Sequence, residues 1–427
     1  MEPIAAIATA QGRGGVAIVR VSGDGALSIA RGAFSRKGDF EPNVLYAGEI
    51  DCGDFTDYGL CVYFRAPRSF TGEDVVEFHC HGGAEIARGV LRKVLSLGAR
   101  LAEKGEFTKR AYLNGKLSLS AVEGMGDMIN AESRAQVRAG YLLYGEKLTD
   151  EGKRLQNVLK SCLAAVDADV DYPEEDLSGG VREEVSEKLG KVVQALEKLL
   201  SQYRAGRKIK SGVSVALCGS PNAGKSSLFN ALLGYERAIV SSVAGTTRDT
   251  VEGNLEINGV LFRLTDTAGL HESDDIIERE GMRRAENALR AADIIVWLKS
   301  DDERKFPEGV PVITVGAKCD IIRRTDCDLC VSSVTGEGLN KLKDLLYERG
   351  FGRENDGAYL LEERHYEAVK EALSLALRAK EGADGGLPAE LYAEELKGAY
   401  TALGRISGET ATEEIIEEIF SKFCVGK

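Results

Sequence analysis

The chain has no surplus of basic residues: 55 Lys and Arg stand against 68 Asp and Glu, a net charge of −13. That excludes a protein that grips nucleic acid through a general basic field, so any RNA contact must be local or helped by a partner. A long hydrophobic run is missing too. No window approaches a membrane span, and the apolar stretch Ile294–Leu298 has the length of a strand. The first residues, Met1-Glu-Pro-Ile, lack the basic segment that opens a secretory leader. The nine cysteines are odd in number and scattered, which points to reduced thiols in a cytoplasm and away from a disulfide framework. What remains, 43% hydrophobic and 29% charged over 427 residues, describes a globular chain of about three domains.

Within it, Gly219-Ser-Pro-Asn-Ala-Gly-Lys-Ser226 follows the apolar run Val213–Cys218 and precedes Leu228–Leu233. A glycine-rich turn between a buried strand and a helix lets backbone N–H groups converge on an anion. Lys225 can then reach the outer phosphates, and the Ser226 hydroxyl can ligate Mg²⁺. Strands are expected at Val251–Ile257 and Val260–Thr265, followed by Asp266-Thr-Ala-Gly269. An Asp at a strand end suits a group touching the Mg²⁺ shell, and the glycine N–H after it can sense a γ-phosphate. Upstream, Gly245-Thr-Thr-Arg-Asp249 places Thr247 where a switch loop adds a second hydroxyl to Mg²⁺. In this order the set is that of a P-loop GTPase.

The base should be read by an Asn/Thr-Lys-x-Asp element. Gly316-Ala-Lys-Cys-Asp320 supplies Lys318 and Asp320, but Ala317 stands where Asn is expected. A lost amide should weaken affinity by about 1–3 kcal/mol, while Asp320 still selects guanine. Ser332-Ser-Val334 fits the loop behind the base, and Thr335–Gly338 opens a final helix. Only Ser300 to Gly309 lies between two strands, too short for a full crossover helix, so one helix is expected to be reduced to a loop.

Residues 1–117 alternate β-rich runs with glycine turns and two helical stretches, a small α+β domain. Three stretches carry more polar residues than a core requires: Gln11–Val16 leading to Arg20, Phe70–Val75 leading to Glu77, and Gly105–Lys116. Each is either a functional cluster or a turn with a solvated charge. His79-Cys-His81 puts two candidate metal ligands on one strand face without a further cluster, and Cys327-Asp-Leu-Cys330 also lacks a partner pair, so structural roles are expected. Long amphipathic helices follow, at 135–160 and 182–203, interrupted by Asp171–Asp176, and resume at 364–380, 387–403 and 412–420. Thr410 and Glu413 have capping-box spacing. Helical blocks flanking the phosphate loop suggest one helical domain with a nucleotide domain inserted.

With these motifs assembled, the whole chain resembles the MnmE (TrmE) family of tRNA-modification GTPases. The likeness rests on Gly12-Arg-Gly-Gly15, Phe70-Thr-Gly-Glu-Asp-Val75, Gly105-Glu-Phe107, Leu113-Asn-Gly-Lys116, the GTPase set, and the terminal Phe423-Cys-Val-Gly-Lys427. The resemblance implies a multidomain chain. Residues 1–117 would be an α+β domain for dimerisation and folate binding, 118–210 and 351–427 an α-helical domain, and 211–350 an inserted Ras-like α/β G domain. It implies folate contacts from Arg20, Glu77, Lys116 and Lys427, with 5,10-methylenetetrahydrofolate, or 5-formyltetrahydrofolate as an analogue, bound there. Cys424 would serve the modification activity. It implies a GTP site formed by Asn222, Ala223, Gly224, Lys225, Ser226 and Ser227, by Ser241, Val243, Ala244, Gly245, Thr246 and Thr247, by Asp266, Thr267, Ala268 and Gly269, and by Lys318, Asp320, Ser332, Ser333 and Val334. K⁺ would be held by Asn222 with Ser241, Val243 and Thr246, taking over the charge neutralisation of an arginine finger. Leu270 stands where other GTPases keep a water-orienting Gln, and Glu278 matches the family's catalytic glutamate. The family reaction modifies C5 of a wobble uridine in certain tRNAs, as a homodimer with an FAD-containing MnmG partner in a heterotetramer-type complex in the cytoplasm. The alternatives are a ribosome-assembly or RNA-binding GTPase switch, and a folate-binding scaffold with a degenerate G domain.

Overall fold

The computed structural model describes residues 1–10, 12–36, 38–171, 178–220, 222–234, 252–266, 286–300, 305–352 and 359–427. By their contacts they form two units. Met1–Gly126, Leu143–Lys160 and Tyr400–Lys427 make one; Asp127–Leu142 and Ser161–Ala399 make the other.

The alternating runs at the start of the chain become β1 (Ile4–Ile7), β2 (Val16–Ser22), β3 (Leu45–Asp51), β4 (Thr56–Phe64), β5 (Val75–His81) and the short β6 (Arg100–Leu101). They lie in the order β3-β4-β5-β2-β1-β6, antiparallel except for β1 beside β6. Alternation sends Val19, Val21 and Phe78 to one face, where they pack with Ile29 of helix α1 (Ala26–Ala33) and Val90 of α2 (Ala84–Ser96). Ala6, Arg20 and Glu77 occupy one cross-strand rung. On that side Ile4 and Ala6 pack with Ala102, Phe107 and Phe70.

Strand β3 went unread in the sequence. Its exposed Leu45 and its glycine blur the apolar alternation, and it is held chiefly by its pairing with β4. The Gly105–Lys116 stretch is helix α3 (Glu106–Leu113), and its charges are not solvated: Arg110 is 5% exposed.

The expected helix over 135–160 is two helices, α5 (Arg134–Tyr144) after α4 (Leu119–Ile129), and α6 (Lys147–Asp171). Glu146 breaks them with φ 63°, and its carboxylate accepts the Ser118 N–H at 3.1 Å. The stretch 182–203 is helix α7 (Ser178–Ser201), and a further helix, α8 (Tyr203–Ser211), follows it.

The nucleotide segment contributes β7 (Val213–Gly219), helix α9 (Lys225–Gly234), β8 (Glu252–Ile257), β9 (Val260–Asp266), β10 (Ile294–Leu298), β11 (Val312–Ala317), β12 (Leu329–Val331) and helix α10 (Leu339–Leu346). The strand order is β12-β11-β10-β7-β9-β8, with only β8 antiparallel to its neighbour. This is the Ras-like P-loop arrangement, and near-continuous burial of Ile294–Val296 fits a sheet covered on both faces. Between β10 and β11, the described residues 299–300 and 305–311 contain no helix, as the short spacing required.

Helices then resume as α11 (Glu363–Asp384), α12 (Ala389–Ser407) and α13 (Glu413–Ser421). Alanines of α11, among them Ala372 and Ala376, pack along α7, where Leu189 and Leu196 are buried. The capping box is not formed: Thr412 is the N-cap, so Glu413 falls on the first helical position, and the Thr410 hydroxyl donates instead to the Thr401 carbonyl. No described helix is long and apolar enough to cross a membrane.

Where the chain enters the nucleotide segment, Lys210 pairs with Glu362 and, at 3.1 Å, with Asp127. Burial, with the negative charge of Glu362 close by, pushes the Asp127 carboxyl up to about 7. Burial works against the Lys210 charge, but Glu362 and Asp127 outweigh it and hold its proton above the ordinary value. The folded state therefore keeps a proton on Asp127 that the unfolded chain releases near pH 4. Stability from this group is fully present below about pH 4 and is lost as pH rises through about 7. Asp127→Asn is expected to raise the melting temperature at about pH 8 and to change it less at about pH 5. Melting curves at the two pH values check this; equal shifts would refute it.

Candidate functional site

Strand β7 ends at Gly219, and helix α9 begins at Lys225, so the phosphate loop spans the intervening residues. Two of them hold positive φ: Asn222 at 62° and Gly224 at 97°, the latter a conformation that glycine takes without steric cost. Lys225 is buried, with Nζ donating to the carbonyls of Gly219 and Ser220, each at 2.8 Å. The ammonium is thus folded onto its own loop, at the amino end of a helix, where the backbone favours anions. The Ser226 hydroxyl donates to Asp266 Oδ2 at 3.0 Å, and Asp266 is 4% exposed. A hydroxyl and a buried carboxylate meeting beside a phosphate cradle fit the oxygen chemistry of Mg²⁺.

Strand β11 delivers the second half of the site. It ends at Ala317, and Lys318, with φ 60°, turns its Nζ to the Asn222 carbonyl at 3.0 Å. The phosphate loop is therefore braced by Lys318 despite the missing amide at 317, a contact the sequence reading did not foresee. The Cys319 N–H donates to the Val331 carbonyl, which ties this loop to β12. Buried Ser332 accepts the N–H groups of Val334 and Thr335 on its hydroxyl, shaping the loop expected behind the base. Asp320 is exposed, Ser333 is half-buried, and Val334 is 85% exposed. Of the remaining loop residues, Ala223 is half-buried and Ser227 exposed.

The first unit holds the other cluster. Arg20 Nε donates to Glu77 Oε1 at 2.8 Å, and the guanidinium carbon lies 5.6 Å from the ring centres of both Phe70 and Phe107. His79 Nε2 lies 3.2 Å from Glu77 Oε2. Burial opposes the Glu77 charge, but His79 and Arg20 outweigh it and hold the carboxyl below its usual range. His81 pairs with Asp57 at 2.7 Å on the exposed end of β5. Lys116 Nζ donates to the Pro67 carbonyl.

The carboxyl terminus returns to this sheet. Val425 bridges Lys104, and the Cys424 carbonyl accepts the Gly105 N–H. Gly426, at φ 100°, lies so close to β1 that a Cβ would come within 2.3 Å of the Ile7 carbonyl. Cys424 is exposed, and Lys427 half-buried.

A family model described as the MnmE helical domain matches residues 119–424, and one described as the GTP-binding protein TrmE N-terminus matches 3–116. A protein named tRNA modification GTPase MnmE, from Aquifex aeolicus (strain VF5), is 38% identical over 447 aligned residues, covering all of both chains. The chain belongs to the MnmE family. Another relative with the same name, from Neisseria gonorrhoeae (strain NCCP11945), is 39% identical over 451 residues, covering 99% of this chain and 98% of its own. Among solved structures, the G domain of the T. maritima FeoB iron transporter is 31% identical over 32% of this chain and 98% of that one, with a TM-score of 0.25. As a member of the MnmE family, with its phosphate loop on β7 and α9, the chain is a GTPase.

Several expected MnmE-family site residues lie outside the described residues: Ser241, Val243, Ala244, Gly245, Thr246 and Thr247, then Thr267, Ala268, Gly269 and Glu278. Sequence reasoning expected a structural role for His79 and missed it as a neighbour of Glu77. The i, i+2 spacing from Glu77 along one strand face was the available signal.

Proposed function

We propose that this GTPase couples K⁺-dependent GTP hydrolysis to modification of C5 of the wobble uridine of certain tRNAs, working with an FAD-containing MnmG partner. The observation that carries the proposal is the return of Phe423–Lys427 onto β1 and Lys104, on the sheet that holds Arg20 and Glu77. The residues matched to folate contacts and the exposed Cys424 thus belong to one folded unit.

Arg20 and Glu77 hold each other, the half-buried Phe70 supplies a ring face, the buried Phe107 backs Arg20, and His79 offers a second partner to the carboxylate. Such a set suits a folate, whose ring carries donors and acceptors on a planar face and whose tail is anionic. A reduced folate would bring the one-carbon unit. Lys116 and Lys427 are assigned to the same ligand, and Cys424 to the modification activity. Lys225, Gly224, Ala223, Ser227 and the start of α9 bind the GTP phosphates, Ser226 and Thr247 hold Mg²⁺, and Asp320 reads guanine with Ser332, Ser333 and Val334 behind it. Asn222, with Ser241, Val243 and Thr246, is assigned to K⁺, and Glu278 to positioning the attacking water. The segments 1–117, 118–210, 211–350 and 351–427 are read as folate, helical, G and helical domains of a cytoplasmic homodimer. The acidic balance fits a partner that supplies most tRNA contacts.

Hydrolysis of GTP by the purified protein should run at least about tenfold faster in KCl than in NaCl at equal ionic strength. Equal rates in the two salts would remove the assignment of Asn222 to K⁺.

A further inference from the structure

Six of the nine cysteines are buried, and Cys424 is exposed at the terminus; Cys327 and Cys330 differ from all of these. They are partly exposed, and their sulfurs lie 3.5 Å apart. Both thiols face the Arg324 carbonyl, Cys330 at 3.0 Å and Cys327 at 3.8 Å. Both also rest on Gly316: a Cβ there would stand 3.0 Å from the Cys327 sulfur and 3.2 Å from the Cys330 sulfur. No group of three or more His, Cys, Asp or Glu able to hold a metal occurs among the described residues, so the pair has no ligand set around it. Two thiols that converge without a metal cage form a dithiol, and about 1.5 Å of approach separates them from a disulfide of about 2.05 Å.

We propose that Cys327 and Cys330 are a redox modification site that closes to a disulfide and thereby loosens the guanine-binding loop. The consequence for the nucleotide rests on reading Lys318 and Asp320 as base contacts. Cys330 sits opposite Gly316 and Val331 opposite Ala317, on the two strands from which the base loops emerge. The Cys319 N–H bond to the Val331 carbonyl, at 3.1 Å, joins those loops directly. Gly338 is packed against the Cys330 carbonyl so closely that a Cβ would meet it at 2.2 Å, which leaves β12 little room to yield on that side. Drawing Cys330 toward Cys327 therefore shifts β12 and the Ser332–Val334 loop that follows it.

The oxidant is a hydroperoxide. One thiolate attacks a peroxide oxygen; an S–O bond forms, the O–O bond breaks, and an alcohol or water departs. The second sulfur, its proton released to solvent, attacks the sulfenic sulfur; the S–S bond forms, the S–O bond breaks, and the hydroxide leaves as water. The two thiols lose two electrons, and the peroxide gains two. Burial and then the neighbouring Cys330 raise the Cys327 thiol above its ordinary value, so this sulfur is protonated at rest and the reaction is slow.

The experiment treats the reduced full-length protein with hydrogen peroxide, alkylates the remaining thiols, and analyses tryptic peptides alongside GDP affinity. Both cysteines fall in the tryptic peptide 325–341. It is expected to lack two hydrogens and to take no alkyl label. The oxidised protein should bind GDP about fivefold to tenfold more weakly. Reductant should restore affinity, and Cys327→Ser and Cys330→Ser should be insensitive to peroxide. A doubly alkylated peptide, a disulfide to Cys319, or stoichiometric zinc retained by the pair would each overturn the dithiol assignment. A closed disulfide with unchanged GDP affinity would overturn its coupling to the base loop. Failure of the reduced protein to prefer guanine over adenine nucleotides would instead refute the base-site reading, with the peptide result still deciding the dithiol.

Discussion

Lys225→Ala is expected to abolish GTP binding at micromolar nucleotide, raising Kd by at least about a hundredfold. Lys225 Nζ donates to the Gly219 and Ser220 carbonyls at 2.8 Å. Those acceptors hold the ammonium inside the cradle, so it is preorganised at low conformational cost. A phosphate exchanges them for charge-assisted bonds of about 1.5–3 kcal/mol each, and losing two removes about 3–6 kcal/mol of binding. The Ser226–Asp266 hydrogen bond remains, so the loss should appear in nucleotide affinity and not in folding. Titration with a fluorescent GTP analogue, beside a melting curve, checks both. A Kd within threefold of wild type would mean that this loop is not the phosphate site.

The second large effect is on stability. Arg110 lies 5% exposed between Glu73, at 3.1 Å, and Glu106, at 3.1 Å, and Nη1 also donates to the Glu2 carbonyl. Burial alone would raise the Glu106 carboxyl, but Arg100, the Glu103 N–H and Arg110 hold it below its usual value. Glu73 in turn accepts the Ser22 hydroxyl, which binds the Phe70–Val75 stretch to β2. Arg110→Ala leaves two half-enclosed carboxylates without their shared cation, a change that costs about 3–5 kcal/mol at buried sites. For a unit of this size that corresponds to a fall of roughly 10 °C or more in melting temperature. Thermal denaturation of the variant measures it, and a fall under about 2 °C would show that solvent screens the network. GTP binding, which depends on the other unit, should survive.

The two predictions fall on regions of different legibility. The phosphate loop could be read because its residues are contiguous: a strand, a fixed turn and a helix start determine one another locally, and Asp266 follows at the end of a recognisable strand. The short link between β10 and β11 was legible for the same reason, since chain length limits what a crossover can contain. The Arg110 network was not. Its partners come from residues 2, 73 and 106, and nothing in the sequence distinguishes a charge that folds inward from one left in water.

The break at Glu146 escaped notice because amphipathic spacing continues across it. Only backbone geometry, with φ 63° at Glu146, shows the turn. The last helix begins within a residue of where its spacing placed it, but Thr412 and not Thr410 is the N-cap, so the Thr410–Glu413 spacing forms no capping box.

By itself, the sequence determined the GTPase chemistry, the family and the β-α alternation, because each depends on residues close together along the chain or on motifs with fixed spacing. Only the tertiary structure decided that Lys318 braces the phosphate loop, that Arg20 is held between two aromatic rings and Glu77, and that the terminal Cys-x-Gly-Lys lies against β1 and Lys104. Those contacts join segments tens to hundreds of residues apart. Burial and strand register select them, and neither is written in local residue order.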